Sequence, residues 1–167
     1  MRQLYRFLLR IKFWQFVLLF FVVNTSLNFI LGLMPFTDYS NPEAEATHSF
    51  WGLLIMGVIL APIWETLACQ TVPVGVFPII FKNWQLGNFK IRHYTWPLIV
   101  FSAFQFAVIH PYHWSYMVMT FIGGLSLAFA YHVARKRRYG GFVAVATIHA
   151  SHNLMKMTLE IIETFVQ

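Results

Sequence analysis

Four residues set in apolar sequence carry the chemistry of this chain. Glu65 stands in LAPIWETLACQ, His110 in FQFAVIHPYHW, and His149 and Asn153 in IHASHNLMKM. An acid surrounded by hydrocarbon is costly unless it faces a cavity or a partner, so a carboxylate there marks function. Held beside imidazoles, it suits general-base work on a water. The plainer role for Glu65 is a protonated side chain bonded to a neighbouring helix, and a lone intramembrane His is commonly interhelical glue. An acid, three imidazoles and an amide on separate segments are harder to assign to glue alone. His149 and Asn153 are i and i+4, so on a helix they share one face and can present their N–H groups to a single point. His152 falls about 60° to the other side of His149 at the helical pitch and reads as structural.

These residues need elements to hold them, and composition says which kind. The chain has 167 residues, 58% hydrophobic and 19% aromatic, with 11% charged. A soluble domain of this size cannot bury that much apolar surface. The expectation is an all-α, polytopic membrane bundle of about five transmembrane helices, forming a single domain over residues 1–167. The spans fall at 13–34, 51–69, 97–110, 114–133 and 142–161, against the roughly 20 residues a bilayer requires; the third is short, which implies an earlier start or a tilt. The second span runs on through 71–81 with breaks expected at Pro73 and Pro78; with an interfacial N-terminal helix this makes six to seven segments. The connectors are 35–50, 82–96 and 134–141. Asn24, Ser26 and Asn28 in the first span either line a polar cavity or bond between helices. Cys69, the single cysteine, excludes an internal disulfide and reads as packing.

Charge orders the spans. Eleven of the twelve Lys and Arg lie in the N-terminal segment (Arg2, Arg6, Arg10, Lys12), the second connector (Lys82, Lys90, Arg92) and the third (Arg135 to Arg138). With five spans all three segments share one side. Asp38, Glu43, Glu45, Glu160 and Glu163 take the other. The positive-inside rule makes the basic side, with the N-terminus, cytoplasmic. Basic residues spread over loops do not make a nucleic-acid face, so no nucleic-acid partner is expected.

The ordered motifs resemble those of the CPBP family of glutamate intramembrane proteases, which includes CAAX-processing endopeptidases and bacterial Abi-type proteins. The family pattern is Glu-Glu-x-x-x-Arg, then Phe-x-x-x-His, then His-x-x-x-Asn, each on its own membrane helix. FAVIH supplies Phe106 and His110; HASHN supplies His149 and Asn153. The first motif departs, because Glu65 takes the first Glu while Thr66 and Gln70 stand at the second Glu and the Arg. The resemblance covers about residues 60–155. It implies catalytic roles for Glu65, His110, His149 and Asn153: Glu65 and His110 hold and deprotonate a water, while His149 and Asn153 bind the oxyanion. It implies no cofactor and no metal. Its substrate is a membrane-associated peptide or protein, in a multi-pass protein of a bacterial inner (plasma) membrane.

Two other classes remain open on the residues alone. One is a catalytically inactive member serving as a membrane-complex subunit or substrate-binding scaffold, which Thr66 and Gln70 favour. The other is a metal enzyme using Glu65 with the pairs His110/His113 and His149/His152; His113 also suits an interfacial turn with Tyr112 and Trp114.

Overall fold

The computed structural model describes residues 2–33, 49–81, 85–86, 89–90 and 95–166. Asp38, Glu43 and Glu45 lie outside the described residues, as do Lys82 and Arg92. The chain is a helical bundle. Helix α1 is Arg2–Arg10, α2 Phe13–Gly32, α3 Phe50–Ile80, α4 Thr95–Val108, α5 Trp114–Ala134 and α6 Gly141–Val166. Strands β1 (Gln85–Leu86) and β2 (Phe89–Lys90) pair antiparallel between α3 and α4, with Gln85 opposite Lys90 and Leu86 opposite Phe89.

Helices α2, α3 and α5 are long and apolar enough to cross a membrane. Helix α4, at 14 residues, rises only about 21 Å. Helix α6 is 26 residues long and carries His149, His152, Asn153, Lys156 and Glu160 within otherwise apolar sequence. Large apolar side chains such as Trp14, Phe29, Trp64, Ile79 and Phe104 point outward, as expected where lipid is the solvent.

The second span does not break at its prolines. It runs as one 31-residue helix in which turns of five-residue reach, over Leu53–Leu60 and Thr66–Val76, flank a regular α-turn at Ala61–Glu65. Proline lacks the N–H that would close a helix turn and leaves a carbonyl exposed. In hydrocarbon such a carbonyl needs another donor, and neighbouring elements supply one each time. Below Pro62, the Gly57 carbonyl accepts from Asn153 Nδ2 on α6 at 2.8 Å. Below Pro73, the Cys69 carbonyl accepts from the Ser102 hydroxyl and the Ala68 carbonyl from Gln105 Nε2, both on α4. Below Pro78, the Val74 carbonyl accepts from the Arg135 guanidinium. Wide turns and prolines together thus turn α3 into the strut on which α4, α6 and the α5–α6 turn are hung.

Helices α4 and α5 cross closely at Gly124. A Cβ there would stand 3.0 Å from the Ala103 Cα and 3.2 Å from the Phe106 ring. Gly123 has no such neighbour; the nearest atom to a Cβ is Asn24 Oδ1 at 3.9 Å. At the opposite end of the bundle, Tyr131 fills the space against Gly75 and Gly141. There Arg137 donates to the Leu8 and Ile11 carbonyls and lies over the Phe16 and Tyr139 rings. These contacts gather α1, the start of α2, the end of α3 and the α5–α6 turn at one end.

Candidate active site

The α-turn Ala61–Glu65 delivers Glu65 between two imidazoles. Glu65 Oε2 lies 3.9 Å from His110 Nε2 and 3.5 Å from His149 Nε2. His110 lies just beyond the end of α4, and its Nδ1 donates to the Phe106 carbonyl at 2.7 Å. A carbonyl only accepts, so that bond fixes the proton on Nδ1 and leaves Nε2 of a neutral ring with its lone pair toward Glu65. The Phe106 ring packs against both imidazoles, 4.8 Å from His110 and 5.5 Å from His149 between centroids. Gly124 beneath it lets α4 approach closely enough for this.

His149 is buried and His110 partly so. Among the described residues His149 Nδ1 has no hydrogen-bond partner. Asn153 follows one turn later, with one amide proton committed to Gly57. All four expected residues line one cavity of about 710 Å³, so the sequence order of motifs becomes a single site. Extrapolating straight helices would place His110 at a different depth from Glu65 and His149; in the structure both imidazoles lie within 4 Å of the Glu65 carboxylate, at 3.9 and 3.5 Å.

The remaining polar candidates divide. Asn24 and Asn28 line the cavity, and Ser26 does not; each Asn also donates back to its own helix. His152 lines the cavity and meets Thr25 Oγ1 on α2 at 3.5 Å. His113 caps α5, accepting from the Ser115 N–H and meeting Ser115 Oγ at 2.8 Å. It is outside the cavity lining. Among the described residues, no group of three or more His, Cys, Asp and Glu is arranged to hold a metal ion.

Thr66 and Gln70 are fully buried, and among the described residues the Thr66 hydroxyl and both Gln70 amide atoms lack hydrogen-bond partners. Cys69 beside them is a buried free thiol in the core. Motif spacing alone did not find Tyr116, Lys156 or Glu160, which also line the cavity. Lys156 was findable in principle. It is the one cation outside the basic segments, seven residues beyond His149, and so two helical turns along the same face.

Apolar helices packed around a carboxylate and two imidazoles define a membrane-embedded helical protein with a polar cluster in its interior. Residues 46–155 match the family of Rce1-like type II CAAX prenyl endopeptidases, and the chain belongs to that family. The match takes in α3, α4 and α5, ends within α6 and includes Glu65, His110, His149 and Asn153. It is therefore an integral membrane protein of the CAAX-type intramembrane protease class. No curated protein and no solved structure matches the chain.

Proposed function

We propose that this chain is a glutamate-type intramembrane endopeptidase that cleaves a membrane-associated peptide or protein. The observation that carries this reading is the Glu65 carboxylate set between the imidazoles of His110 and His149. The 3.9 Å gap between Glu65 Oε2 and His110 Nε2 is too long for a direct hydrogen bond. Both atoms can accept, which suits a water donating one proton to each. Glu65 then takes a proton as that water attacks the peptide carbonyl, and later returns it to the leaving amine. His149 and the second N–H of Asn153 steady the oxyanion. A donor pre-aimed at such an oxyanion is worth about 3 kcal/mol in a site closed to bulk water. No step calls for a metal or nucleotide. The bilayer supplies the working environment, and a bacterial inner membrane with the N-terminus cytoplasmic fits the basic segments.

Wild type, Glu65→Gln and His149→Ala expressed in membranes with candidate membrane peptides provide the test, read by mass spectrometry. New peptide ends with wild type only, absent with both folded variants, are the expected result. Identical profiles from all three would favour a second reading, an inactive member acting as a scaffold or complex subunit. That reading draws support from the buried, uncharged Thr66 and Gln70 at the positions of the family's second Glu and Arg.

A further inference from the structure

Lys156 is a cation within α6 that the proposed chemistry leaves unused. An ammonium in a membrane helix is costly and persists where it faces a cavity or a partner. Lys156 is half-buried and lines the same cavity as Glu65, His110, His149 and Asn153. Its Nζ lies 5.9 Å from the Tyr116 ring centroid, within reach of a cation–π attraction. The same ring lies 5.9 Å from the His110 imidazole, so the ammonium and the polar cluster share one cavity wall.

Spacing fixes where on that wall it stands. Lys156 follows His149 by seven residues and Asn153 by three. All three fall on one face of α6, with Lys156 about 10 Å along the axis from His149. A peptide extended along α6 advances about 3.3 Å per residue. A peptide carbonyl held at His149 and Asn153 therefore brings the group about two or three residues further along the peptide beside Lys156. Glu160, one turn beyond Lys156, also lines the cavity but is exposed. Lys preceding Glu at this spacing is the weaker order of such a pair, and an ammonium has three protons to donate. The pair holds the ammonium in place without using all of its donors.

We propose that Lys156 is a specificity-determining residue whose ammonium pairs with a carboxylate of the bound peptide, two or three residues from the bond presented to Glu65. The proposal rests on the protease reading for that bond, and deepens it by naming the group the peptide carries. The carboxylate is the peptide's free C-terminus or an Asp or Glu side chain. A basic group in its place meets like charge, and a neutral one leaves the ammonium without its partner, so one cation discriminates against both.

Peptide retention tests this without requiring turnover. The purified full-length Glu65→Gln protein in detergent is incubated with a proteome-derived peptide mixture, either native or methyl-esterified at its carboxylates. Retained peptides are identified by mass spectrometry. Esterification should lower retention about tenfold or more, the scale of one charged hydrogen bond. In the same background Lys156→Met should abolish the difference and Lys156→Arg should preserve it. Lys156→Glu should turn the preference toward peptides with Lys or Arg at the selected position, a reversal that a purely structural role would not produce. Retained peptides resynthesised with a C-terminal amide separate the two sources: loss of retention assigns the C-terminal carboxylate to Lys156, and unchanged retention assigns a side chain. Equal retention of native and esterified peptides, retention of neither, or a preference unchanged by Lys156→Met overturns the proposal. Carboxylate-dependent retention by a protein whose wild type cleaves none of these peptides would instead refute the protease reading and leave the Lys156 site standing.

Discussion

At Glu65 the geometry is more informative than the residue type. A carboxylate flanked at 3.5 and 3.9 Å by two ring nitrogens has the arrangement that the proposed proton transfer needs, and the His110 bond to the Phe106 carbonyl puts the proton of a neutral ring on Nδ1. Close by, Thr66 and Gln70 show the opposite condition: polar atoms buried with no hydrogen-bond partner among the described residues. A buried amide left unbonded costs about 1–3 kcal/mol. Gln70→Met keeps the length and removes both polar atoms, so it should raise the thermal unfolding midpoint in detergent. A lowered midpoint would mean that the Gln70 amide is satisfied after all. The residue identities of the site were legible in the sequence, because Glu, His and Asn are conspicuous among Leu, Val and Phe. Their partners were not. That Asn153 spends one proton on Gly57, or that Thr25 meets His152, depends on which helix faces pack together, and no spacing within one helix encodes that.

At the level of elements, the sequence fixes where helices lie better than how they behave. Helices α2, α4, α5 and α6 fall on the expected 13–34, 97–110, 114–133 and 142–161 to within a few residues, while α3 runs on to Ile80; of the five, α2, α3 and α5 are long and apolar enough to cross a membrane. Proline was read as a breaker of the second span, but α3 continues through all three of its prolines. The difference is physical: each freed carbonyl finds a donor on another element, so bending the helix apart offers nothing. This makes a specific claim about Asn153. Asn153→Leu should destabilise the protein by about 1–3 kcal/mol by orphaning the Gly57 carbonyl. Adding Pro62→Ala restores a backbone N–H to that region of α3, so the double variant should recover stability in detergent melts. On the proposed mechanism cleavage should stay lost, because the Asn153 donor has not been replaced. Equal stability of the single and double variants would show that Pro62 and Asn153 are not coupled.

For the molecule as a whole, the arrangement is polarised: the basic α5–α6 turn ties α1, the start of α2 and the end of α3 together at one end, and the cavity is lined by the far halves of the helices. The helical membrane bundle and the charge asymmetry could be read from the sequence. The position of the cavity relative to that asymmetry could not, since it depends on the three-dimensional convergence of five helices. One contact at the packed end bears on how the chain is made. Arg137 holds the carbonyls of Leu8 and Ile11, which precede it by 129 and 126 residues. The Arg137 anchor of α1 is therefore absent until residue 137 has been synthesised. Its docking is a late event and a report of completed assembly. On ribosome-stalled chains ending before residue 137, added protease should cut the Arg2–Arg10 segment readily. In the finished protein the same segment should resist, and Arg137→Ala should return it to the early, cleavable state. Equal cutting in all three would place α1 on the bilayer surface, independent of the bundle. In the finished protein, then, the last membrane hairpin to be inserted latches the first helix that was made.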